Sequence, residues 1–299
     1  MRAFTAAAVQ FAPAPGPLTA ASVRANQERA ADLVRRCVEA TGAELVVLPE
    51  SCTTGFVPGL PTAELWSLVS PLPGPIAEPL QETARDLGVH LCFGTYERGA
   101  RPEVVHNAAV LVGPGGDLLG VYRKTHPFGV EDARRGGWVT PGGEVCVADT
   151  DLGRIGMAIC FDGDFPELWR IQAVRGAEVI CRPSALLRPA DIWELTTRAR
   201  AYDNHVYVVG ANAVGADPGG TLYFGNSLIV TPTAEVVARA ATQECWITAR
   251  LDPATAMAAL SPGSSVPQSF DHLAERNLEL YGRHAAELLG PAATPFPYG

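Results

Sequence analysis

Apolar runs of strand length alternate with amphipathic helical segments along most of the chain, and this alternation restricts the possible folds. In the first half, "AAAVQF", "ELVVLPE" and "HLCFGTYER" are typical of strands, and residues 21–42 and 76–89 have helical spacing. In the second half, the strands "RIGMAIC", "AEVICRPSA" and "VYVVGANAVG" are separated by predicted helices over 166–176 and 190–205. This order favours an α/β architecture in which helices cover sheets.

Two further segments predict β-hairpins. In "NAAVLVGPGGDLLGVYRK" a Pro-Gly-Gly-Asp turn joins two apolar runs, and "FGNSLIVTPTAEVVARA" has a similar arrangement. No low-complexity linker divides the chain of 299 residues. We therefore predict one domain over residues 1–270, with two packed layers of sheet and helices outside. Residues 271–299 are expected to be a C-terminal extension, either part of the same unit or an arm in an oligomer.

Charge and hydropathy exclude several classes of partner. The net charge is −9 and no basic run is present, so the sequence predicts neither nucleic-acid binding nor attachment to an anionic membrane surface. No apolar stretch reaches the roughly 18 residues of a membrane-spanning helix. The opening "MRAFTAAAVQF" alternates as a half-buried strand does, and it lacks the long apolar core of a secretion signal.

The cysteines indicate a reducing compartment. They are Cys37, Cys52, Cys92, Cys146, Cys160, Cys181 and Cys245. An odd, scattered set that falls mostly in apolar runs favours the cytoplasm over a disulfide framework. Neither a CxxC pair nor an HExxH motif occurs, so we expect no metal and no cofactor.

Three reactive side chains stand at the ends of predicted strands. Glu50 ends "ELVVLPE", Lys124 ends "LLGVYRK" and Cys160 ends "RIGMAIC". A thiolate is a nucleophile, a carboxylate can take its proton, and an ammonium can stabilise the negative oxygen of a tetrahedral intermediate together with the Phe161 backbone N–H. Gly163 and Pro166 then permit a sharp turn that exposes the cysteine side chain.

Each of these residues also has an ordinary interpretation. Glu50 can be an exposed carboxylate and Lys124 can be solvated beside Arg123. A cysteine in an apolar run usually serves packing. We predict a packing role for the cysteines other than Cys160. Cys52, two residues after Glu50, is also a candidate to lie at the edge of the sheet where the strand-end residues meet.

The three motifs taken together are far more specific than any one of them. In this order and separation, "VVLPES", "YRKTHPF" and "GMAICFDGDFPE" resemble the nitrilase superfamily of carbon–nitrogen hydrolases, over a span from "VQFAP" to "FGNSLIVTP". The resemblance implies an α-β-β-α sandwich of two mixed sheets flanked by helices. It implies Glu50 as general base, Lys124 as stabiliser of the tetrahedral intermediate and Cys160 as nucleophile. It also implies a homodimer paired through the outer helices, or a larger homo-oligomer.

A second glutamate follows from the same resemblance. Glu131, in "KTHPFGVEDARRGGWVTPGG", stands where many members carry an acid after the lysine motif. A carboxylate near Lys124 would keep the ammonium charged and aimed. The alternative is a solvated loop acid beside Asp132. The chain departs from the usual family pattern at Pro127 and over residues 134–137. The resemblance therefore does not predict which residues form the pocket wall near Glu131.

The residues after the nucleophile favour one reaction. "CFDGDFPE" resembles the Cys-Tyr-Asp pattern of amidase-type branches more than the Trp-Glu of nitrilases. This implies hydrolysis of a small-molecule amide to carboxylate and ammonia through a thioester. The alternatives are an N-carbamoyl amidohydrolase, a nitrilase, an acyltransferase that uses the same thioester, and an inactive scaffold subunit.

The predicted acyl pocket follows the central strands. Its candidate lining residues are Phe161, Ser184, Ala185, Leu186 and Trp193. Most ligand pockets are apolar with a few placed polar groups, and this set fits that description without selecting a substrate. Trp193 is equally consistent with the core. Arg188 is a candidate for holding a carboxylate, against the simpler reading of a solvated loop arginine.

Overall fold

The computed structural model of the chain describes residues 1–254 and 271–290. Two six-stranded mixed sheets pack face to face in it, and helices cover their outer surfaces. The predicted α-β-β-α sandwich is confirmed.

The elements of secondary structure in the described residues are these. The strands are β1 (Phe4–Gln10), β2 (Leu45–Val47), β3 (His90–Arg98), β4 (Val105–Val112), β5 (Leu118–Arg123), β6 (Val147–Thr150), β7 (Gly153–Met157), β8 (Val179–Ser184), β9 (Tyr207–Asn212), β10 (Val214–Ala216), β11 (Leu222–Phe224), β12 (Leu228–Val230), β13 (Val236–Arg239) and β14 (Cys245–Leu251). The helices are α1 (Ala20–Thr41), α2 (Thr62–Leu68), α3 (Glu78–Leu87), α4 (Pro166–Val174), α5 (Ala190–Asn204), α6 (Leu278–Arg283) and α7 (Ala285–Leu289). Short 3₁₀ turns span Ala133–Arg135 and Cys160–Asp164.

The two sheets share one plan. The first has the order β14-β1-β2-β3-β4-β5 and the second β13-β12-β9-β8-β7-β6. Their central pairs are parallel, namely β1–β2–β3 and β7–β8–β9, and the outer pairs are antiparallel. The C-terminal ends of β2, β5, β7 and β8 lead into the segments that carry the candidate residues.

The core lies both between the sheets and under the outer helices. Along β1, Ala6 and Ala8 face the second sheet, whereas Ala7 and Val9 belong to the cluster under α1 and α3. A strand buried on both faces needs apolar residues at every position. This explains why the central strands read as continuous apolar runs in the sequence.

Both predicted hairpins are present, as β4–β5 and β12–β13. The prediction missed α2, β6, β11 and the C-terminal helices α6 and α7. It also missed β14, which pairs with β1 along all seven of its residues. The strand predicted to run to Glu50 ends at Val47. Pro49 follows shortly after it, and proline has no N–H to donate to a sheet ladder.

Part of the predicted C-terminal extension packs on the sandwich. The backbone N–H of His272 donates to Nε2 of His205 (3.0 Å), the two rings stack, and Leu273 packs against the core. Residues 255–270 and 291–299 lie outside the described residues, so the division at residue 270 stays a prediction. Within 1–254 and 271–290, no helix combines the length and the apolar character that crossing a membrane requires.

Candidate active site

One ammonium and two carboxylates meet in the interior of the protein. Lys124 directly follows β5, Glu50 lies three residues beyond β2, and Glu131 lies in the loop after Lys124. All three side chains are fully buried. The Lys124 Nζ donates to Oε1 of Glu50 at 2.7 Å and also to Oε1 of Glu131. The structure therefore brings together three of the four predicted catalytic residues as one ionic cluster.

Lys124 is the only lysine of the chain, and every other residue among its 23 lysines and arginines is arginine. An arginine is a planar fork of donors, whereas a lysine is a compact point charge. This count is a sequence signal that marks the position independently of any motif.

Asn107, at the start of the apolar part of β4, was not predicted. Its Nδ2 donates to Oε1 of Glu50 at 2.7 Å and to Oε2 of Glu131 at 3.0 Å. Its backbone carbonyl accepts the Lys124 N–H at 2.8 Å. One buried amide thus connects all three members of the cluster. A buried polar residue inside an apolar run was the signal available in the sequence.

Backbone groups complete the set of donors to the carboxylates. The Ala185 N–H donates to Oε2 of Glu50 at 2.8 Å, and the Phe128 N–H donates to Oε1 of Glu131 at 2.8 Å. Gly94 in β3 leaves room for this arrangement, since a Cβ there would lie 2.5 Å from the Glu50 Cα. The carboxylates are held by donors on every accepting oxygen.

Opposite charges in the cluster support one another, whereas the negative charge of Glu50 opposes that of Glu131. Burial opposes the charged form of Lys124, but the negative charges of Glu131 and Glu50 outweigh it and raise the pKa of the ammonium. Burial raises the pKa of Glu131, against the effect of Lys124. Lys124 is therefore a permanent positive charge at neutral pH.

Cys160 begins a tight turn three residues after β7. Its φ of 46° lies in the left-handed region, where a residue other than glycine carries a strain of about 1–3 kcal/mol. The turn continues through Asp164 and leads into α4. The predicted sharp strand-to-helix turn is present. The expectation that it exposes the cysteine side chain is wrong, because Cys160 is only 5% exposed.

Arg182, at the end of β8, supports that turn and was not predicted. Its Nη2 and Nε donate to the Cys160 carbonyl at 2.7 and 3.3 Å, and it lies over the Trp193 ring at 4.5 Å. Burial lowers its pKa to about 10. A Cβ on Gly163 would lie 1.9 Å from the guanidinium, so this glycine is required for space.

A buried carboxylate connects the cysteine turn to the lysine segment. Asp162 accepts from the Ile159 N–H (2.9 Å) and the Tyr122 hydroxyl (2.8 Å) through Oδ2. Its Oδ1 lies 3.0 Å from Nδ1 of His126. The segments on either side of Lys124 are thereby held against the turn that carries Cys160.

The Cys160 thiol is almost completely buried. Burial, and then the negative charge of Glu50, raise its pKa, while the positive charges of Lys124 and Arg182 act in the opposite direction. The thiol is protonated at neutral pH. A nucleophilic role therefore requires a base that removes its proton during attack.

Cys160 lines a very small, mostly apolar cavity of about 10 Å³. The lining residues are Phe56, Phe128, Cys160, Phe161, Ala185, Leu186, Leu187 and Arg188. The ionic cluster borders this cavity, because the Lys124 Nζ lies 5.4 Å from the Phe56 ring centroid and the Ala185 N–H holds Glu50.

Two predicted pocket residues are not among the lining residues. The Ser184 hydroxyl is buried and donates to the Arg182 carbonyl, and the Trp193 indole is buried and donates to the Asn226 carbonyl at 2.7 Å. Trp193 is a core residue that supports Arg182. Phe161, Ala185 and Leu186 do line the cavity, so their predicted placement agrees with the structure.

The other cysteines do not reach the cavity. Cys37, Cys52, Cys92 and Cys181 are buried, and Cys146 and Cys245 are half-buried. Burial raises the pKa of Cys52 to about 12, and its side chain packs in the core under α1 and α3. Across the described ranges, no group of three or more His, Cys, Asp or Glu side chains is arranged to hold a metal ion.

Comparisons with known proteins agree on one family. The family model described as carbon-nitrogen hydrolase matches residues 5–259. The chain is 38% identical over 226 residues to a nitrilase of Pyrococcus abyssi (73% of this chain, 80% of that protein). It is 32% identical over 235 residues to omega-amidase NIT2-A of Xenopus laevis (76% and 83%).

Solved structures show the same fold. Nit3 of Saccharomyces cerevisiae, a member of branch 10 of the nitrilase superfamily, is 26% identical with a TM-score of 0.74, covering 88% of this chain and 96% of that one. An amidase from Nesterenkonia sp. has a TM-score of 0.75 at 23% identity, covering 94% and 95%.

Proposed function

This chain belongs to the carbon-nitrogen hydrolase family, and on that premise we propose that it hydrolyses a small-molecule amide to a carboxylate and ammonia through a thioester on Cys160. The observation that carries the proposal is the buried Glu50–Lys124–Glu131 cluster beside the only cysteine that lines the described cavity. Packing alone does not require a buried ammonium between two buried carboxylates, because each buried charge is costly to desolvate.

The first step begins from the protonated thiol of Cys160. The Cys160 thiol is neutral because its pKa is raised. Glu50 removes the thiol proton as Sγ attacks the carbonyl carbon of the amide, so the thiolate forms only when it is used. The carbonyl π bond breaks and its electron pair moves to oxygen, which gives a tetrahedral oxyanion.

The ammonium of Lys124 stabilises that oxyanion. A fixed positive charge in a site that excludes water favours a charge that develops in the transition state. The backbone N–H of Phe161 is the second proposed donor. Glu131 and Asn107 hold Lys124 and Glu50 in position and do not react.

Collapse of the intermediate breaks the C–N bond. Glu50 returns its proton to the leaving nitrogen, and ammonia departs to leave an acyl thioester on Cys160. Glu50 then deprotonates a water molecule that attacks the thioester carbon. The carboxylic acid and the Cys160 thiol are released, so that each proton taken by Glu50 has been given back.

The choice of an amide rests on the residues that follow Cys160, and the alternatives remain open to test. N-carbamoyl compounds and nitriles fit the same nucleophile, and an amine that intercepts the thioester would make the protein an acyltransferase. Ammonia release from a panel of amides, carbamoyl compounds and nitriles, each with and without hydroxylamine, distinguishes these. A folded protein that turns over none of them would favour the inactive scaffold.

We also propose that the protein is a cytoplasmic homodimer or larger homo-oligomer. Apolar side chains stand exposed on the outer helices, namely Ile171 and Val174 on α4 and Leu195 and Tyr202 on α5. Exposed apolar patches mark association surfaces, and the seven free cysteines support a reducing compartment. Light scattering is expected to give at least twice the chain mass of 31.5 kDa. A stable monomer would contradict the pairing.

A further inference from the structure

Among the described residues that line the cavity around Cys160, Arg188 is the only charged one. The remainder of the lining is phenylalanine, leucine, alanine and the nucleophile itself. A lone arginine in an apolar pocket would ordinarily suggest a site for a substrate carboxylate, because the guanidinium matches carboxylate geometry.

This guanidinium already holds a carboxylate of the protein. Nη1 and Nη2 of Arg188 donate to the two carboxylate oxygens of Asp164, at 2.5 and 2.6 Å. The pair is therefore bidentate, the geometry in which arginine binds carboxylates most strongly. Arg188 also lies 5.4 Å from the Phe161 ring centroid, so its position over the cavity wall is fixed on two sides.

Asp164 belongs to a rigid part of the site. It is the last residue of the turn that begins at Cys160. The neighbouring Gly163 carbonyl accepts from Arg200 at 3.0 Å, and the Cys160 carbonyl accepts from Arg182. The pair is only about one-quarter exposed (27% for Arg188 and 24% for Asp164), so it is weakly screened by solvent.

We propose that Asp164 is a specificity-determining residue that restricts the enzyme to amides whose acyl group is uncharged. The inference rests on the proposed amidase function and names its substrate class. An acyl group with a second carboxylate would have to displace Asp164 from Arg188 and leave two anions close together. Repulsion of this kind is an effective way to exclude a competing substrate whose shape otherwise fits the pocket.

Two amides of similar size test the proposal. Butyramide carries an uncharged acyl group, and succinamate carries a carboxylate at the far end of a chain of comparable length. In the wild-type enzyme, kcat/KM for butyramide should exceed that for succinamate by at least about 10-fold, the scale of one misplaced interaction in a pocket.

Two substitutions should move this ratio in opposite directions. Asp164→Asn removes the competing anion and keeps its shape, so the succinamate-to-butyramide ratio of kcat/KM should rise by about 10-fold or more. Arg188→Met leaves Asp164 without its cation, so the ratio should fall below the wild-type value. Asp149→Asn, which disturbs the exposed pair with Arg154, is the matched control and should leave the ratio unchanged.

A binding measurement supplements turnover. Each amide is tested for its ability to slow alkylation of Cys160 by iodoacetamide, read as the mass of the Cys160 peptide. Butyramide should protect the wild type and succinamate should protect only the Asp164→Asn protein, provided that circular dichroism and Tm show each variant to be folded.

The outcomes separate this inference from the function on which it rests. Wild-type preference for succinamate, or a folded Asp164→Asn protein whose ratio stays within about 3-fold of wild type, would overturn the specificity role while leaving the amidase intact. Absence of ammonia release from every amide in the panel would instead overturn the proposed function.

Discussion

The Nζ of Lys124 lies 2.7 Å from Oε1 of Glu50, and neither side chain is exposed to solvent. The same ammonium also binds Glu131, and Asn107 donates to both carboxylates. One positive charge is thus shared between two acids of different proposed roles. In the proposed mechanism, Glu50 is the base, and the two carboxylates keep Lys124 charged where the oxyanion would form.

Replacing Lys124 should reveal its electrostatic role. Lys124→Ala should lower kcat by at least about 100-fold, the scale of losing one oxyanion-hole donor. Lys124→Arg should not restore the rate, because a larger planar fork does not place one compact charge at the same point. Steady-state kinetics measure both. Arg198→Ala, which breaks an exposed pair with Glu194, is the control and should retain wild-type kcat.

The protonation of Lys124 can be observed directly, since the chain contains no other lysine. Its raised pKa means that the ammonium persists above the ordinary lysine value of about 10.4. In protein prepared with isotope-labelled lysine, the single side-chain NMR signal should show no titration up to that pH. Glu131→Gln removes one of the charges that raise the pKa, so titration should begin at lower pH and kcat should fall. Titration of the wild type below the ordinary value would contradict the buried cluster.

Removal of the Asn107 side-chain amide should change the pH profile of kcat/KM as well as its maximum value. Asn107 donates to Glu131, whose pKa burial already raises. Donors to a carboxylate favour its charged form, so Asn107→Leu should raise the pKa of Glu131 further, which should move the acid limb of kcat/KM to higher pH and lower the maximum. A change in the maximum alone would indicate a packing role. Asn277→Leu, at the start of α6 away from the cavity, should leave the profile in place.

The Cys160 thiol should stay protonated through the neutral range. Its pKa is raised, so the thiolate fraction is small below the ordinary cysteine value of about 8.5 and increases only above it. The difference in ultraviolet thiolate absorbance between wild type and Cys160→Ser measures this. A thiolate signal that appears below the ordinary value would indicate a resting ion pair and remove the need for Glu50 as base in the first step.

Local patterns in the sequence were sufficient for two layers of sheet covered by helices and for the candidates at strand ends, whereas Glu131 and the α-β-β-α arrangement were implied by the family resemblance. Apolar runs on doubly buried strands are continuous, and Glu50, Lys124 and Cys160 stand just beyond such runs. Asn107 and Arg182 could not be assigned in this way. Their roles depend on partners more than 20 residues distant in the chain, namely Glu50 for Asn107 and Cys160 for Arg182.

The pocket was harder to predict than the reactive centre. Ser184 ends β8, where its hydroxyl donates to the Arg182 backbone carbonyl. Trp193 lies in α5, where its indole donates to the Asn226 carbonyl and its ring packs on the Arg182 guanidinium. Conversely, the partner of Arg188 is Asp164, and no local spacing connects those two residues. Which side chains reach the pocket is decided largely by tertiary contacts, which a single sequence does not display.

The most direct test of the account is acid quenching of the enzyme during turnover of an amide, followed by intact mass and peptide mapping, with Cys160→Ala in parallel. We predict a covalent adduct equal to the acyl group on the Cys160 peptide alone. We also predict a folded Cys160→Ala protein that releases no ammonia. An adduct on another cysteine, or ammonia release by the folded Cys160→Ala protein at a rate close to wild type, would contradict the central claim that Cys160 is the nucleophile.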